Sequence, residues 1–206
     1  YEPGSVFKPI TMSAAIDAEK VSTGTLFEDK GFEDIDNFTI KNAGEKIYGL
    51  VSMRDVIIKS INTGSIFAAR LLGQRLFREY AQRFGFGVLS GVELDMEVTG
   101  SFDNLDRKGA IYIATASFGQ GITVTPLQMI TAFGVFTNNG QLLKPQIVKE
   151  IHFSDGKVEK RLPQEIRQVI SPRTAATISK MLTAVVDEGH AKRAAVKGYF
   201  IAGKTG

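Results

Sequence analysis

The chain has no cysteine. Disulfides and thiolate metal sites are therefore excluded, and an oxidising compartment is permitted without being required. Histidine is nearly absent as well, with only His152 and His190. A Ser-His-Asp triad would have to use one of them, and neither lies in a recognisable nucleophile setting. No apolar run is long enough to span a bilayer. There is no internal repeat, no low-complexity tract and no grouping of metal-type ligands, so no metal or organic cofactor is implied. No signal segment is visible, the first residue is Tyr1 rather than Met, and the chain stops at Lys204-Thr205-Gly206. It reads as one domain, residues 1–206, cut at both ends from a longer protein.

What is present is ordinary globular composition. Of 206 residues, 43% are hydrophobic and 23% charged, enough for one real core and too apolar for wholesale disorder. The net charge is +3. That excess is small and spread out, and the series Arg70, Arg75, Arg78, Arg83 reads as a solvated face, so no nucleic-acid partner is expected.

Local signals predict a mixed α and β chain in which helices dominate. Tyr1-Glu2-Pro3-Gly4 is a turn, and a helix follows from about Ser5 with Phe7, Ile10, Ala14 and Ala18 at helical spacing. Pro9 fits its first turn. Residues 23–49, rich in Gly, Asp and Asn, read as a surface excursion with short strands. A helical stretch covers 52–59. One stronger helix is expected after Ser60-Ile61-Asn62, with Phe67, Leu71, Leu76, Tyr80 and Phe84 on a single stripe. Residues 91–107 read as loop with a short extended piece. Thr125-Pro126-Leu127-Gln128 is a capping box opening a helix to about Asn138. A hairpin is expected over 145–162, and a helix from Ser171-Pro172 to Gly189. The tail Tyr199–Ala202 is β-prone.

Three short motifs carry chemistry, in this order: Ser5-Val6-Phe7-Lys8, Ser60-Ile61-Asn62 and Lys204-Thr205-Gly206. Residues at i and i+3 share a helix face, so Lys8 is within reach of the Ser5 hydroxyl. A serine hydroxyl is a poor nucleophile until a base takes its proton, and a lysine can be that base once burial and nearby positive charge lower its pKa. Ser60 can relay a proton, and Asn62 can hold a substrate amide or orient Lys8. Lys204 and Thr205 can bind a carboxylate, and Gly206 permits close approach of a substrate backbone. Taken singly, each motif is more often an ordinary cap or turn than a site of chemistry. The ordered trio, with Pro-Gly before the first motif and Pro after it, is far more specific.

With these motifs on the page, the sequence resembles the transpeptidase domain of penicillin-binding proteins, nearest to the class B, monofunctional type. The likeness rests on 2–9 (Glu-Pro-Gly-Ser-Val-Phe-Lys-Pro), 59–64 (Lys-Ser-Ile-Asn-Thr-Gly), 117–129 and 202–206. It implies an α+β fold shared with serine β-lactamases, with the helical part largely present and the central antiparallel sheet incomplete. It implies that Ser5 attacks the D-Ala-D-Ala end of a peptidoglycan stem peptide, that an amine of a second stem takes the acyl group, and that β-lactams acylate Ser5. On this likeness Lys8 is the general base, Ser60 the relay, and Asn62 a contact of substrate and Lys8. Lys204, Thr205 and Gly206 bind substrate. The parent would be membrane-anchored, would work beside a glycan-polymerising partner, and would act on the outer face of the cytoplasmic membrane or in the periplasm.

Departures from the family pattern also carry expectations. One oxyanion donor of the family lies just past Lys-Thr-Gly, and losing such a donor typically costs roughly a hundred- to a thousandfold in rate. The isolated piece is therefore expected to be poorly stable and nearly inactive. Gly189-His190-Ala191 stands where the family usually has Gly-Thr-Ala. Three other readings compete. Gly198 to Thr205 formally fits a phosphate loop, but its middle residues look like a strand and no helix follows. A serine β-lactamase would need a water-activating device, yet Ile61 occupies the middle of the second motif and no convincing glutamate is found. A non-catalytic sensor or scaffold is the third.

Overall fold

A computed structural model describes residues 1–206. The chain enters through a 3-10 turn, Gly4–Phe7, that runs straight into helix α1, Lys8–Asp17. Four short strands follow, β1 Leu26–Asp29, β2 Phe32–Ile35, β3 Phe38–Lys41 and β4 Gly49–Ser52. Three helices come next, α2 Met53–Ile58, α3 Asn62–Leu72 and α4 Gln74–Arg83. After a long loop come α5 Ala110–Ser117 and α6 Pro126–Thr137. Strands β5 Gln141–Leu143, β6 Glu150–His152, β7 Val158–Lys160 and β8 Glu165–Gln168 precede the last long helix, α7 Pro172–Asp187.

The architecture is α+β. Strands pair only two by two and antiparallel, as β1 with β4, β2 with β3, β5 with β8 and β6 with β7. No pair extends into a larger sheet, so the sheet component is fragmentary and the helices supply the core. The expected hairpin is the β6–β7 pair. Helix starts follow the capping chemistry. Ser52 with Asp55, and Thr125 with Gln128, form capping boxes that satisfy amides otherwise left without partners, and Ser171 accepts from the Thr174 amide.

Helix α1 is the axis of the molecule. Every residue from Lys8 to Ala15 is buried, and the helix packs against α3, α4 and α7. An amphipathic stripe would have failed at this place; small residues such as Ala14 and Ala15 let neighbours close in from several sides. At its head Phe7 is fully buried, with its ring centroid 5.2 Å from Phe86, 6.0 Å from Phe102 and 6.2 Å from Phe77. This aromatic cluster pins the turn that presents Ser5.

Two expectations need correction. The single helix expected after residue 62 is two helices, α3 and α4, because Gly73 adopts φ +81 and ψ 150 and breaks the ladder. The break re-aims the chain so that Phe77, Tyr80 and Phe84 are buried while Leu71 stays exposed. The tail 199–202 is not a strand: no neighbouring strand pairs with it, and Phe200 is 96% exposed. β-propensity describes fit to a pleated, half-buried surface, and here that surface has no partner.

Phe7→Ala should destabilise the fold by about 3–5 kcal/mol, as expected for a buried aromatic replaced by a cavity. Guanidinium denaturation monitored by circular dichroism measures this directly.

Candidate active site

The start of α1 is held from outside by residues 117–124. The Gly4 amide donates to the Gly119 carbonyl at 2.9 Å, and the Gly121 amide donates to the Glu2 carboxylate at 2.9 Å. Tyr1 and Val124 exchange two bonds, and the Thr11 hydroxyl donates to the Ser117 carbonyl at 2.8 Å. Gly119 is required twice over. Its φ is +82, and a Cβ there would sit 2.2 Å from the Gly4 carbonyl oxygen. The segment that sequence likeness marks only as a family stretch is thus a clamp on the Ser5 turn.

The second motif sits in the turn between α2 and α3. Ser60 itself takes φ +57, an unusual conformation for a residue with a Cβ. Beyond it, the first turn of α3 is tied to the 23–49 excursion. The Asn62 and Thr63 amides donate to Asn42 Oδ1 at 3.0 and 3.2 Å, and Asn42 is in turn bound to Asp29. That excursion is more than surface. Asp29 and Asn42 were missed in the sequence because an Asp two residues before a Gly and an Asn in a polar stretch read as turn formers.

Two lysines converge on Ser60. Lys8 is 0% exposed, and its Nζ donates to the Ser60 carbonyl at 2.6 Å and contacts Ser60 Oγ at 3.0 Å. Lys204 Nζ lies 2.8 Å from the same Oγ and also reaches the Thr205 carbonyl at 2.9 Å. Burial first, and then the charge of Lys204, lower the Lys8 pKa to about 7. Burial lowers that of Lys204 to about 8. The backbone of the third motif is fixed by the Gly203 amide, which donates to the Leu182 carbonyl of α7. A Cβ on Gly206 would stand 3.5 Å from Val6, so this segment lies beside the Ser5 turn.

Not every expected contact is made. No hydrogen bond joins Ser5 Oγ to Lys8 Nζ; the Lys8 amide donates to the Ser5 carbonyl, and the ammonium is spent on Ser60. Asn62 does not bond Lys8. Its Nδ2 donates to the Lys41 carbonyl at 2.9 Å, which leaves Oδ1 without a protein partner. Thr205 is exposed, with its hydroxyl 3.5 Å from Lys204 Nζ. His190 is exposed as well, at the end of α7. Chemically, the arrangement is a half-buried serine one turn from an amine that loses its proton near neutrality, with a second hydroxyl between two amines. That is a layout for moving a proton between a nucleophile and a leaving group.

The family model for the penicillin binding protein transpeptidase domain matches residues 1–206. Stage V sporulation protein D of Bacillus subtilis is 38% identical over 209 residues, covering 100% of this chain and 32% of that protein. Penicillin-binding protein PbpB of Mycolicibacterium smegmatis is 33% identical over 214 residues, covering 100% of this chain and 33% of its own length. The chain therefore spans about a third of the curated relatives it matches. Among solved structures, penicillin binding protein 3 of Mycobacterium tuberculosis complexed with aztreonam superposes with a TM-score of 0.90 at 30% identity, over 99% of this chain and 47% of that one. The D,D-transpeptidase domain of a peptidoglycan glycosyltransferase from Eggerthella lenta gives 0.90 at 26% identity, over 100% and 53%.

A buried lysine with a depressed pKa has a signature in stability. The unfolded chain holds the Lys8 proton up to its ordinary value of 10.5, whereas the folded chain releases it at about 7. Between these values the unfolded state binds more protons, so stability rises with pH across that window, and the cost is greatest below it. Lys8→Met should therefore stabilise the fold, and by more at pH 6 than at pH 10. Thermal unfolding at the two pH values checks this; a gain that does not change with pH would contradict it.

Proposed function

The chain belongs to the penicillin-binding protein transpeptidase family, and on that footing we propose that it carries the acyl-transfer centre of a class B peptidoglycan D,D-transpeptidase. The observation that carries the reading is the convergence on Ser60 of Lys204 and of Lys8, the latter one turn along the chain from Ser5. Neutral Lys8 takes the Ser5 proton as Oγ attacks the carbonyl of the penultimate D-Ala of a stem peptide. The start of α1 favours the negative charge that develops there. As the tetrahedral species collapses, the departing D-Ala amine receives a proton relayed through the Ser60 hydroxyl, and the acyl-enzyme on Ser5 remains. The amine of a second stem then attacks the ester. It gives up its proton by the same relay in reverse and frees Ser5 with a new amide cross-link in place.

Substrate is held by the remaining motif residues. Asn62 Oδ1, free of protein partners, accepts from a substrate amide N–H. The Lys204 ammonium and the Thr205 hydroxyl take the terminal carboxylate, and Gly206 lets the substrate backbone lie close. A β-lactam presents a strained amide and a carboxylate to the same groups and leaves a lasting ester on Ser5. The parent protein is anchored in the cytoplasmic membrane and works on its outer face beside a glycan polymerase. The chain itself contributes no helix long and apolar enough to cross a membrane.

Intact-mass spectrometry after exposure to a β-lactam tests this, using the natural polypeptide that carries the chain and its Ser5→Ala variant. A lasting single adduct that is absent from the variant is expected. Rapid loss of the adduct with drug turnover would mean a β-lactamase, and no adduct on folded protein would remove the acyl-transfer reading.

A further inference from the structure

The reaction uses the second motif, yet nothing in that motif explains why it stays in place. Ser60 adopts φ +57, and its carbonyl and hydroxyl must face Lys8 together. On one side the turn is set by α2, against which α3 packs so closely that a Cβ on Gly64 would sit 2.3 Å from a Val56 methyl. On the other side stands Asp29, at the end of β1 and 1% exposed. No lysine or arginine pairs with it. Its carboxylate instead accepts the Gly31 amide at 3.0 Å, the Tyr48 amide at 2.8 Å, the Thr63 hydroxyl at 2.6 Å and the Asn42 side-chain amide at 2.9 and 3.0 Å. Asn42, held by its nitrogen, turns Oδ1 to the Asn62 and Thr63 amides. One buried charge thus organises two loops and, through them, the first turn of α3.

A buried ionised carboxylate is costly unless donors fill its lone pairs, and an unpaired one is destabilising. Burial pushes the Asp29 carboxyl up, but the bonds from Thr63, Gly31, Tyr48 and Asn42 outweigh it and hold the group below its ordinary value. The carboxylate also faces the helix end where negative charge is favoured. A fold that needed only a filler here would be served by an apolar side chain; this one keeps a charge whose donors include residue 63, immediately beyond Ser60-Ile61-Asn62.

Building on the acyl-transfer reading, we propose that Asp29 is a positioning residue. Acting through Asn42 and Thr63, it fixes the start of α3 and so the Ser60 carbonyl and hydroxyl that hold Lys8. It touches neither substrate nor nucleophile. Asp29→Asn leaves the volume unchanged but replaces an acceptor oxygen with a donor nitrogen among four donors. Thr63→Val removes one donor, and Thr63→Ser restores it.

The test follows acylation by a fluorescent penicillin in the natural polypeptide that carries the chain, under single-turnover conditions at saturating drug. In Asp29→Asn the first-order acylation rate should fall about tenfold to a hundredfold, the scale of a misplacement of about 1 Å. The fraction of protein finally labelled should stay complete. Thr63→Val should slow acylation in the same way, and Thr63→Ser should recover it. A merely structural role would lower the labelled fraction and leave the rate of the folded molecules unchanged, and that result would overturn the proposal. If Asp29→Asn does not fold, the Thr63 pair decides, and equal rates for wild type and Thr63→Val refute it. If the wild type is not acylated at all, the acyl-transfer reading falls separately. Crystal structures of wild type and Thr63→Val then decide the positioning claim, which survives only if the Ser60–Lys8 contacts are lost in the variant.

Discussion

Lys8 places an amine where no water reaches it and no carboxylate pairs with it. Its polar partners are the carbonyl and hydroxyl of Ser60, and its charged neighbour is another cation, Lys204. Each of these conditions works against the ammonium form except the two Ser60 contacts. The balance brings a group that ordinarily titrates at 10.5 to about 7. Much of the remaining structure can be understood as what is needed to keep that balance. Helix α1 is buried along most of its length so that Lys8 is dry. The 117–124 segment holds the turn before it, α7 fixes Gly203 and with it Lys204, and the Asp29 cradle holds the start of α3.

The arrangement places stability and chemistry in opposition. An apolar side chain at position 8 would suit the core better, and an extended conformation would suit Ser60 better. The fold tolerates both because packing elsewhere over-determines them: the Phe7 ring cluster, the capping boxes at Ser52 and Thr125, and the close approach of Gly64 to Val56. In the proposed reaction these local penalties are functional. A lysine that kept its proton could not accept one from Ser5, and a Ser60 in an ordinary turn would not present carbonyl and hydroxyl to the same ammonium.

Much of this was legible in the sequence, for identifiable reasons. The helix starts at Thr125-Pro126-Leu127-Gln128 and Ser171-Pro172 were found because capping is local chemistry, whereas the box of Ser52 with Asp55 was not singled out. The three motifs could be placed in order because spacing fixes which residues share a turn. Other features depend on partners distant in the chain and were not legible. Gly73 breaks a helix that periodicity alone would continue. The 199–202 tail has strand composition but nothing to pair with. Asp29 and Asn42 look like turn residues until α3 is laid against them. Asn62 was expected to touch Lys8, whereas its amide nitrogen is taken by Lys41, 21 residues earlier. Likeness to a family supplied the reaction, and the geometry supplies the reason that lysine can serve as the base.

The central claim is that Lys8 is neutral for much of the time near pH 7. Side-chain NMR of lysine-labelled protein, with Lys8→Arg to assign the resonance, measures its titration directly. A midpoint near 7 is predicted, well separated from the surface lysines. A midpoint at the ordinary lysine value would leave Lys8 charged at neutral pH, unable to accept the Ser5 proton, and would contradict the account at its root.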